Sequence, residues 1–151
     1  VRELNLSSFD TSKVFSMNHM FCRCKVKKLN LSNFNTSKVI DMSYMFNCCK
    51  AKELNLSTFD TSKVGNMNCM FAACRVKELN LSNFDTSQVT NMGLMFAECE
   101  AEKIDISTFN TSKVINMGCM FCRCKVKELD VSHFLILNMY GICKECLMDV
   151  R

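Results

Sequence analysis

Residues 79–103 read LNLSNFDTSQVTNMGLMFAECEAEK, and the same pattern returns every 25 residues along the chain. Leu-Asn-Leu-Ser starts at Leu4, Leu29, Leu54 and Leu79, and Ile-Asp-Ile-Ser continues it at Ile104. No residue is inserted between the copies. The chain of 151 residues therefore contains five full repeats, termed units 1 to 5, which are residues 4–28, 29–53, 54–78, 79–103 and 104–128.

Several apolar positions recur in every unit. In unit 4 the residues that follow the Leu-x-Leu pair are Phe84, Val89, Met92, Met95, Phe96 and Cys99. One short unit cannot bury so many apolar side chains by itself, whereas stacked units cover each other's apolar columns. Each large side chain buried in this way stabilises the stack by about 1.5–3 kcal/mol. The repeat therefore predicts a solenoid in which equivalent residues lie over one another.

The spacing within a unit predicts its local structure. The Leu-x-Leu alternation is typical of a short β-strand, and we expect these strands to stack in parallel into one long sheet. The Asp/Asn-Thr-Ser cluster that follows is a side-chain cap that turns the chain. Beyond it, Val14, Met17, Phe21 and Cys24 are spaced as on one face of a helix. A second extended segment from Val14 to Met17, followed by one tight helical turn, fits the same spacing.

The repeat resembles that of the BspA-like leucine-rich-repeat surface proteins. Their repeat reads roughly L-D-L-S-x-F-D-T-S-x-V-x-x-M-x-x-M-F-x-x-C, and residues 79–99 match it at nearly every position, with Asn80 in place of Asp. The resemblance extends from Leu4 to Glu128. It implies a solenoid of the leucine-rich-repeat type, a cell-surface or secreted location, and adhesion or protein binding without catalysis. The junction at residues 24–29 is one residue shorter than in the family, which implies a tighter connection.

The polar residue between the two leucines forms a column along the expected sheet. Its members are Asn5, Asn30, Asn55, Asn80, Asp105 and Asp130. Successive side chains of a strand point to opposite faces, so this column should lie on the outer face, where such repeats commonly bind partners. It is the candidate binding site for a protein partner. Stacked amides can also hydrogen-bond along a ladder, so a structural role is the alternative, and the two roles are compatible.

Twelve cysteines raise the question of disulfides. The column from Cys24 to Cys124 occupies positions where an apolar core needs a small side chain, which favours buried free thiols. Bridges between different columns, such as Cys22 to Cys48 or Cys48 to Cys49, remain the alternative.

The C-terminal cysteines also allow a metal or thiol site. Two close groups occur there, with spacings that a tetrahedral zinc site can use. They are Cys119, Cys122 and Cys124 in unit 5, and Cys143 and Cys146 in the Cys-Lys-Glu-Cys segment. The favoured interpretation is that Cys143 and Cys146 are core residues of a capping repeat, so no metal is assigned.

Two basic edges run along the repeats, and a glutamate of unit 4 breaks each of them. The first is Lys25, Lys50, Arg75, Glu100 and Lys125, and the second is Lys27, Lys52, Lys77, Glu102 and Lys127. They are either solvated edges or a charge asymmetry that sets the register with a partner. The net charge of +4 is mild, and no aromatic column is interleaved with these edges, so we expect no nucleic-acid partner.

Other function classes lack their signatures. The two histidines, His19 and His133, are about five units apart, and four glycines provide no phosphate-binding loop. We therefore expect no enzyme activity and no cofactor. No segment approaches the ~20 apolar residues of a membrane-spanning helix.

The ends of the chain differ from the repeats. Residues 1–3 match the tail of a truncated upstream repeat, and residues 129–151 read as a degenerate C-terminal capping repeat. Uncapped ends suggest an alternative function, in which the chain assembles end to end into a filament or a larger complex. An extracellular location follows from the resemblance, although unpaired cysteines are unusual in an oxidising compartment.

Overall fold

Four short β-strands mark the start of successive units. The computed structural model describes residues 4–134, with β1 at Lys28–Leu29, β2 at Glu53–Leu54, β3 at Glu78–Asn80 and β4 at Lys103–Asp105. β1 pairs in parallel with β2, and β3 pairs in parallel with β4. In both pairs the residues that lie opposite each other occupy the same position in successive units, so these units lie side by side in register.

The strands form two two-stranded sheets instead of the one long sheet expected. At the break, the N–H of Lys77 lies 3.4 Å from the carbonyl oxygen of Lys52, whereas the equivalent bonds on either side measure 3.1 and 2.9 Å. Each sheet pairs a lysine with a glutamate at its first position, but the break brings Glu53 next to Glu78. Like charges directly opposite one another weaken strand pairing, which accounts for the interruption.

A second column of parallel bridges joins all five units without a break. It links Ser16 to Asp41 and continues through Asn66, Asn91 and Asn116. The residues of this column are polar and short, and they carry no like charges on neighbouring units. The continuous ladder of the stack is therefore this segment and not the Leu-x-Leu segment.

The short helical turn expected after this column is not formed. In unit 1 the N–H groups of Met17, His19, Phe21 and Arg23 donate to carbonyl groups of unit 2 at 2.7–3.1 Å. These groups are then unavailable for the bonds to residue i−4 that a helix needs. The chain instead makes consecutive reverse turns, with His19 and Arg23 at φ 59° and 56°, and the same two positions are left-handed in all five units. Residues 4–134 contain no helix able to cross a membrane.

The core consists of apolar columns shared between units. One phenylalanine of each unit stacks on the next, with ring centroids 5.3–5.7 Å apart and interplanar angles of 3–11°, through Phe21, Phe46, Phe71, Phe96 and Phe121. In units 2 to 4 these rings and both methionine columns are fully buried. Because each unit covers one side of its neighbour's apolar residues, burial depends on the stack and not on the single unit.

A buried threonine connects each Asp/Asn-Thr-Ser corner to the next unit. Thr36 donates from Oγ1 to the carbonyl oxygen of Asp60 at 2.9 Å and accepts the N–H of Asp60 at 2.8 Å. Thr11 makes the same pair of bonds with Asn35. The cap of the turn is the preceding residue, because Oδ1 of Asp60 accepts the N–H of Ser62 at 3.0 Å. Threonine therefore joins units, while Asp or Asn caps the turn.

Candidate interaction surface

The polar column predicted as the partner-binding site lies at the ends of the strands. Asn80 ends β3 and pairs in register with Asp105, which ends β4. Asp105 is half-buried and the other five members are exposed; the column is Asn5, Asn30, Asn55, Asn80, Asp105 and Asp130. The structure therefore places the predicted residues along one accessible edge of the stack.

These side chains do not hydrogen-bond to one another as a stacked ladder would require. Oδ1 of Asn30 accepts the N–H of Ser32 at 3.1 Å, and Oδ1 of Asn80 accepts the N–H and the hydroxyl of Ser82 at 3.0 and 2.7 Å. All six members make the same bond to the N–H two residues later. A short side chain reaches this N–H with little ordering, so the local bond is preferred over a bond between units.

The two ends of the column offer different chemistry to a partner. Within residues 4–134 no hydrogen bond uses the Nδ2 atoms of Asn30, Asn55 or Asn80, since each amide is held through Oδ1 alone. Asp105 and Asp130 carry carboxylates instead. The hydroxyl and N–H of the serine two residues later, Ser107 or Ser132, lower the pKa of each carboxyl group. The column therefore presents hydrogen-bond donors along units 1 to 4 and negative charge beyond them.

Two asparagines that sequence reasoning missed lie beside this column. Nδ2 of Asn33 donates to the carbonyl oxygens of Leu6 and Phe9 in unit 1, at 3.0 and 3.2 Å. Asn83 makes the equivalent bonds to unit 3, at 3.2 and 3.1 Å. Both line shallow depressions together with residues of the polar column. The sequence gives only a weak signal for these two residues, because asparagine holds this position in units 2 and 4, whereas serine or threonine holds it in units 1, 3 and 5.

An exposed apolar column was also missed. Phe15, Ile40 and Ile115 are 61%, 55% and 88% exposed, and Gly65 and Thr90 hold the same position in units 3 and 4. The N–H of Ile40 donates to the carbonyl oxygen of Phe15 at 2.9 Å, so these two residues are neighbours. The residue type at this position changes from unit to unit, which is why the repeat pattern does not reveal it.

The ten cysteines within residues 4–134 are free thiols. Cys49, Cys74 and Cys99 are fully buried in the core column, and the bridge considered between Cys22 and Cys48 is not formed. A hydrogen bond with Cys49, together with burial, raises the pKa of Cys74. A thiol with a raised pKa stays protonated at neutral pH and reacts slowly. The same hydrogen bond lowers the pKa of its partner Cys49 to about 7. Cys49, Cys74 and Cys99 are nevertheless closed to solvent at 0% exposure, so their burial suits this part of the column to packing.

The metal site considered at the C-terminal end falls partly outside the described residues, because Cys143 and Cys146 lie beyond residue 134. Across residues 4–134, no three His, Cys, Asp or Glu side chains lie close enough together to hold a metal ion. His19 stacks on Tyr44 with ring centroids 4.5 Å apart. His133 lies at the other end of the described chain, with Nε2 at 3.2 Å from a backbone carbonyl oxygen. The two histidines do not meet.

These contacts define the class of protein: a repeat protein whose units hydrogen-bond to one another in register and share one core. The chain belongs to the family described as Mycoplasma protein of unknown function, DUF285, whose model matches residues 1–103 and 51–142. The two matches begin two repeat lengths apart, as expected if the family model itself spans several units. No curated protein and no solved structure matches the chain.

Proposed function

We propose that this chain is a leucine-rich-repeat-like solenoid of the BspA type that serves as a non-catalytic adhesion or protein-binding module at the cell surface or in secreted form. The observation that carries the proposal is the exposed column of asparagines, whose amide nitrogens are uncommitted in units 2 to 4. The register spaces these donors about 4.8 Å apart. Such a row suits an extended segment of a macromolecule better than a small molecule.

The change from amides to carboxylates gives the column a direction. Asp105 and Asp130 keep their negative charge to low pH because the following serine stabilises the ionised form. A partner that carries positive charge near one end of its binding segment would therefore bind in one orientation. Localisation outside the cell is supported by the resemblance to surface proteins.

The test removes the donors and keeps the fold. The substitutions Asn30→Asp, Asn55→Asp and Asn80→Asp preserve the oxygen that caps the turn, since Asp105 makes the same bond at 3.1 Å. They replace each free amide with a negative carboxylate. We expect the triple variant to lose a partner that the original chain retains in a pull-down from extracellular material, with the bound protein identified by mass spectrometry.

A matched control makes the same chemical change at another exposed corner. Asn35→Asp and Asn110→Asp alter the capping position of the Asp/Asn-Thr-Ser turn, where unit 3 already carries Asp60. This control should retain the partner. The proposal is wrong if control and triple variant lose the partner alike, or if the triple variant retains it fully.

A further inference from the structure

Two rows of lysines lie side by side on one edge of units 1 and 2. The N–H of Lys50 donates to the carbonyl oxygen of Cys24 at 2.8 Å, and the N–H of Lys52 donates to that of Lys27 at 3.1 Å. These bonds set Lys50 beside Lys25 and Lys52 beside Lys27, about 4.8 Å apart along the stack. All four lysines are exposed, and the residue between each pair along the chain is buried, so both rows face the solvent.

Unit 4 neutralises the far end of the same two rows. Within residues 4–134 there are three ion pairs, and each uses a glutamate of unit 4. Glu100 lies 3.8 Å from Arg75, and Glu102 pairs with Lys127. No ion pair in the same part of the chain involves the lysines of units 1 and 2. The nearest acid in sequence, Glu53, lies opposite the additional Lys28 across β1 and β2.

Stacked ammonium groups repel one another, so four of them in a tight grid create a site for a ligand that carries several negative charges in a row. We propose that Lys25, Lys27, Lys50 and Lys52 bind a sulfated polysaccharide chain, and that Glu100 and Glu102 mark where its track ends. Lys27 and Lys52 lie three residues before Asn30 and Asn55 in the chain. The lysines are a different set of side chains from the asparagine column, so the proposal goes beyond the protein-binding function.

The composition of the rows favours a polysaccharide over other polyanions. No aromatic residue lies within either row, so the edge offers no platform on which nucleic-acid bases could stack. The rows also carry no exposed apolar side chain to insert into a membrane. The lysines act as mobile point charges, which suit sulfates spaced along a flexible chain, whereas arginine is preferred for paired contacts with carboxylate or phosphate.

The experiment measures the affinity for fluorescently labelled heparin by fluorescence anisotropy at about 0.15 M salt and at lower salt. The variant Lys25→Gln/Lys27→Gln/Lys50→Gln/Lys52→Gln should bind at least about 100-fold more weakly, with a shallower dependence on salt.

The matched control is a third row of exposed lysines about half a unit away in sequence. The substitutions Lys13→Gln, Lys38→Gln, Lys63→Gln and Lys113→Gln remove the same charge from units 1, 2, 3 and 5, since unit 4 has Gln88 at this position. We expect this control to bind within about threefold of the original chain, since its lysines make no contact with the ligand. Equal weakening by both variants would show that net charge alone attracts heparin and would overturn the proposal.

A gain of affinity provides a readout that unfolding cannot mimic. Glu100→Gln with Glu102→Gln frees Arg75 and Lys127 from their ion pairs and continues both basic rows into unit 5. This variant should bind heparin more tightly, by about fivefold or more. Unchanged or weaker binding contradicts the proposed track.

Competition identifies the class of ligand. Fully desulfated heparin should fail to displace the labelled probe. If single-stranded DNA or polyglutamate competes as well as heparin at equal charge, the edge is a general polyanion surface and the assignment to a sulfated polysaccharide is wrong.

Discussion

The link that Thr36 makes between units can be broken without changing the size of the side chain. Thr36→Val keeps the shape but leaves both the N–H and the carbonyl oxygen of Asp60 without the partner that Oγ1 provides at 2.8 and 2.9 Å. Thr36 is 1% exposed, so the valine would put a buried methyl group where the hydroxyl now meets both groups of Asp60. Each polar group left unsatisfied costs about 1–3 kcal/mol, and we expect the two together to lower the unfolding free energy by about 2–4 kcal/mol.

The assay is urea denaturation followed by circular dichroism, with the free energy obtained by linear extrapolation, and a fall in Tm of roughly 5–15 °C as an independent readout. Thr58→Val is the control, because Thr58 is exposed and its side chain makes no hydrogen bond within residues 4–134. It should change stability by less than about 0.5 kcal/mol. If Thr36→Val costs no more than Thr58→Val, the threonine column does not hold the units together.

Three further changes test the core, the left-handed turns and the capped corners. Phe71→Ala should cost about 3–5 kcal/mol because the ring is fully buried in the stack, while Phe9→Ala, at 52% exposure, should cost much less in the same urea assay. Ala73→Gly should be neutral or stabilising by up to about 1 kcal/mol, because φ is 52°. Ala72→Gly, at a buried position with negative φ, should destabilise by about 1 kcal/mol. The Ser62 hydroxyl and N–H lower the pKa of Asp60, so its stabilising contribution is present above the unfolded pKa of about 3.9 and is lost as pH falls through the folded value. Asp60→Asn should therefore show a smaller loss of stability than the original chain between about pH 5 and pH 2.

The columns of the core could be predicted because the repeat length alone sets the register. Once every unit has the same length, Met95, Phe96 and Cys99 must lie over their counterparts, and all three are fully buried. The placement of the polar column follows from the same argument. Neither conclusion requires knowledge of the backbone conformation within a unit.

The backbone between these columns could not be predicted from spacing. Side chains at Met17, Phe21 and Cys24 face the core in a helix and equally in a series of left-handed turns. What decides between them is the direction of the N–H groups, which bond to the next unit at 2.7–3.1 Å. That competition depends on a neighbour 24 residues away in the chain, so no local pattern encodes it.

The hydrogen-bond partners of the polar column could not be predicted from the sequence for a related reason. An amide at Asn30 can bond to a neighbouring unit or to the N–H of Ser32, and both options suit the sequence. The structure shows the bond to Ser32, which leaves Nδ2 for a partner. The break between β2 and β3, in contrast, has a sequence signal in Glu53 and Glu78, which becomes readable once the pairing register is known.

The most direct test of stacking in register is to delete part of the chain and compare stabilities. Deletion of residues 51–75 removes one repeat length, joins Lys50 to Val76, and places Lys28 opposite Glu78 in the same register. Deletion of residues 51–62 removes only half as much chain, but it shifts the following units by 12 residues relative to the preceding ones. Exposed columns of one unit would then lie over buried columns of the next. We expect the longer deletion to keep a cooperative urea transition and the shorter one to abolish it. A shorter deletion that stays folded while the longer one unfolds would contradict the account.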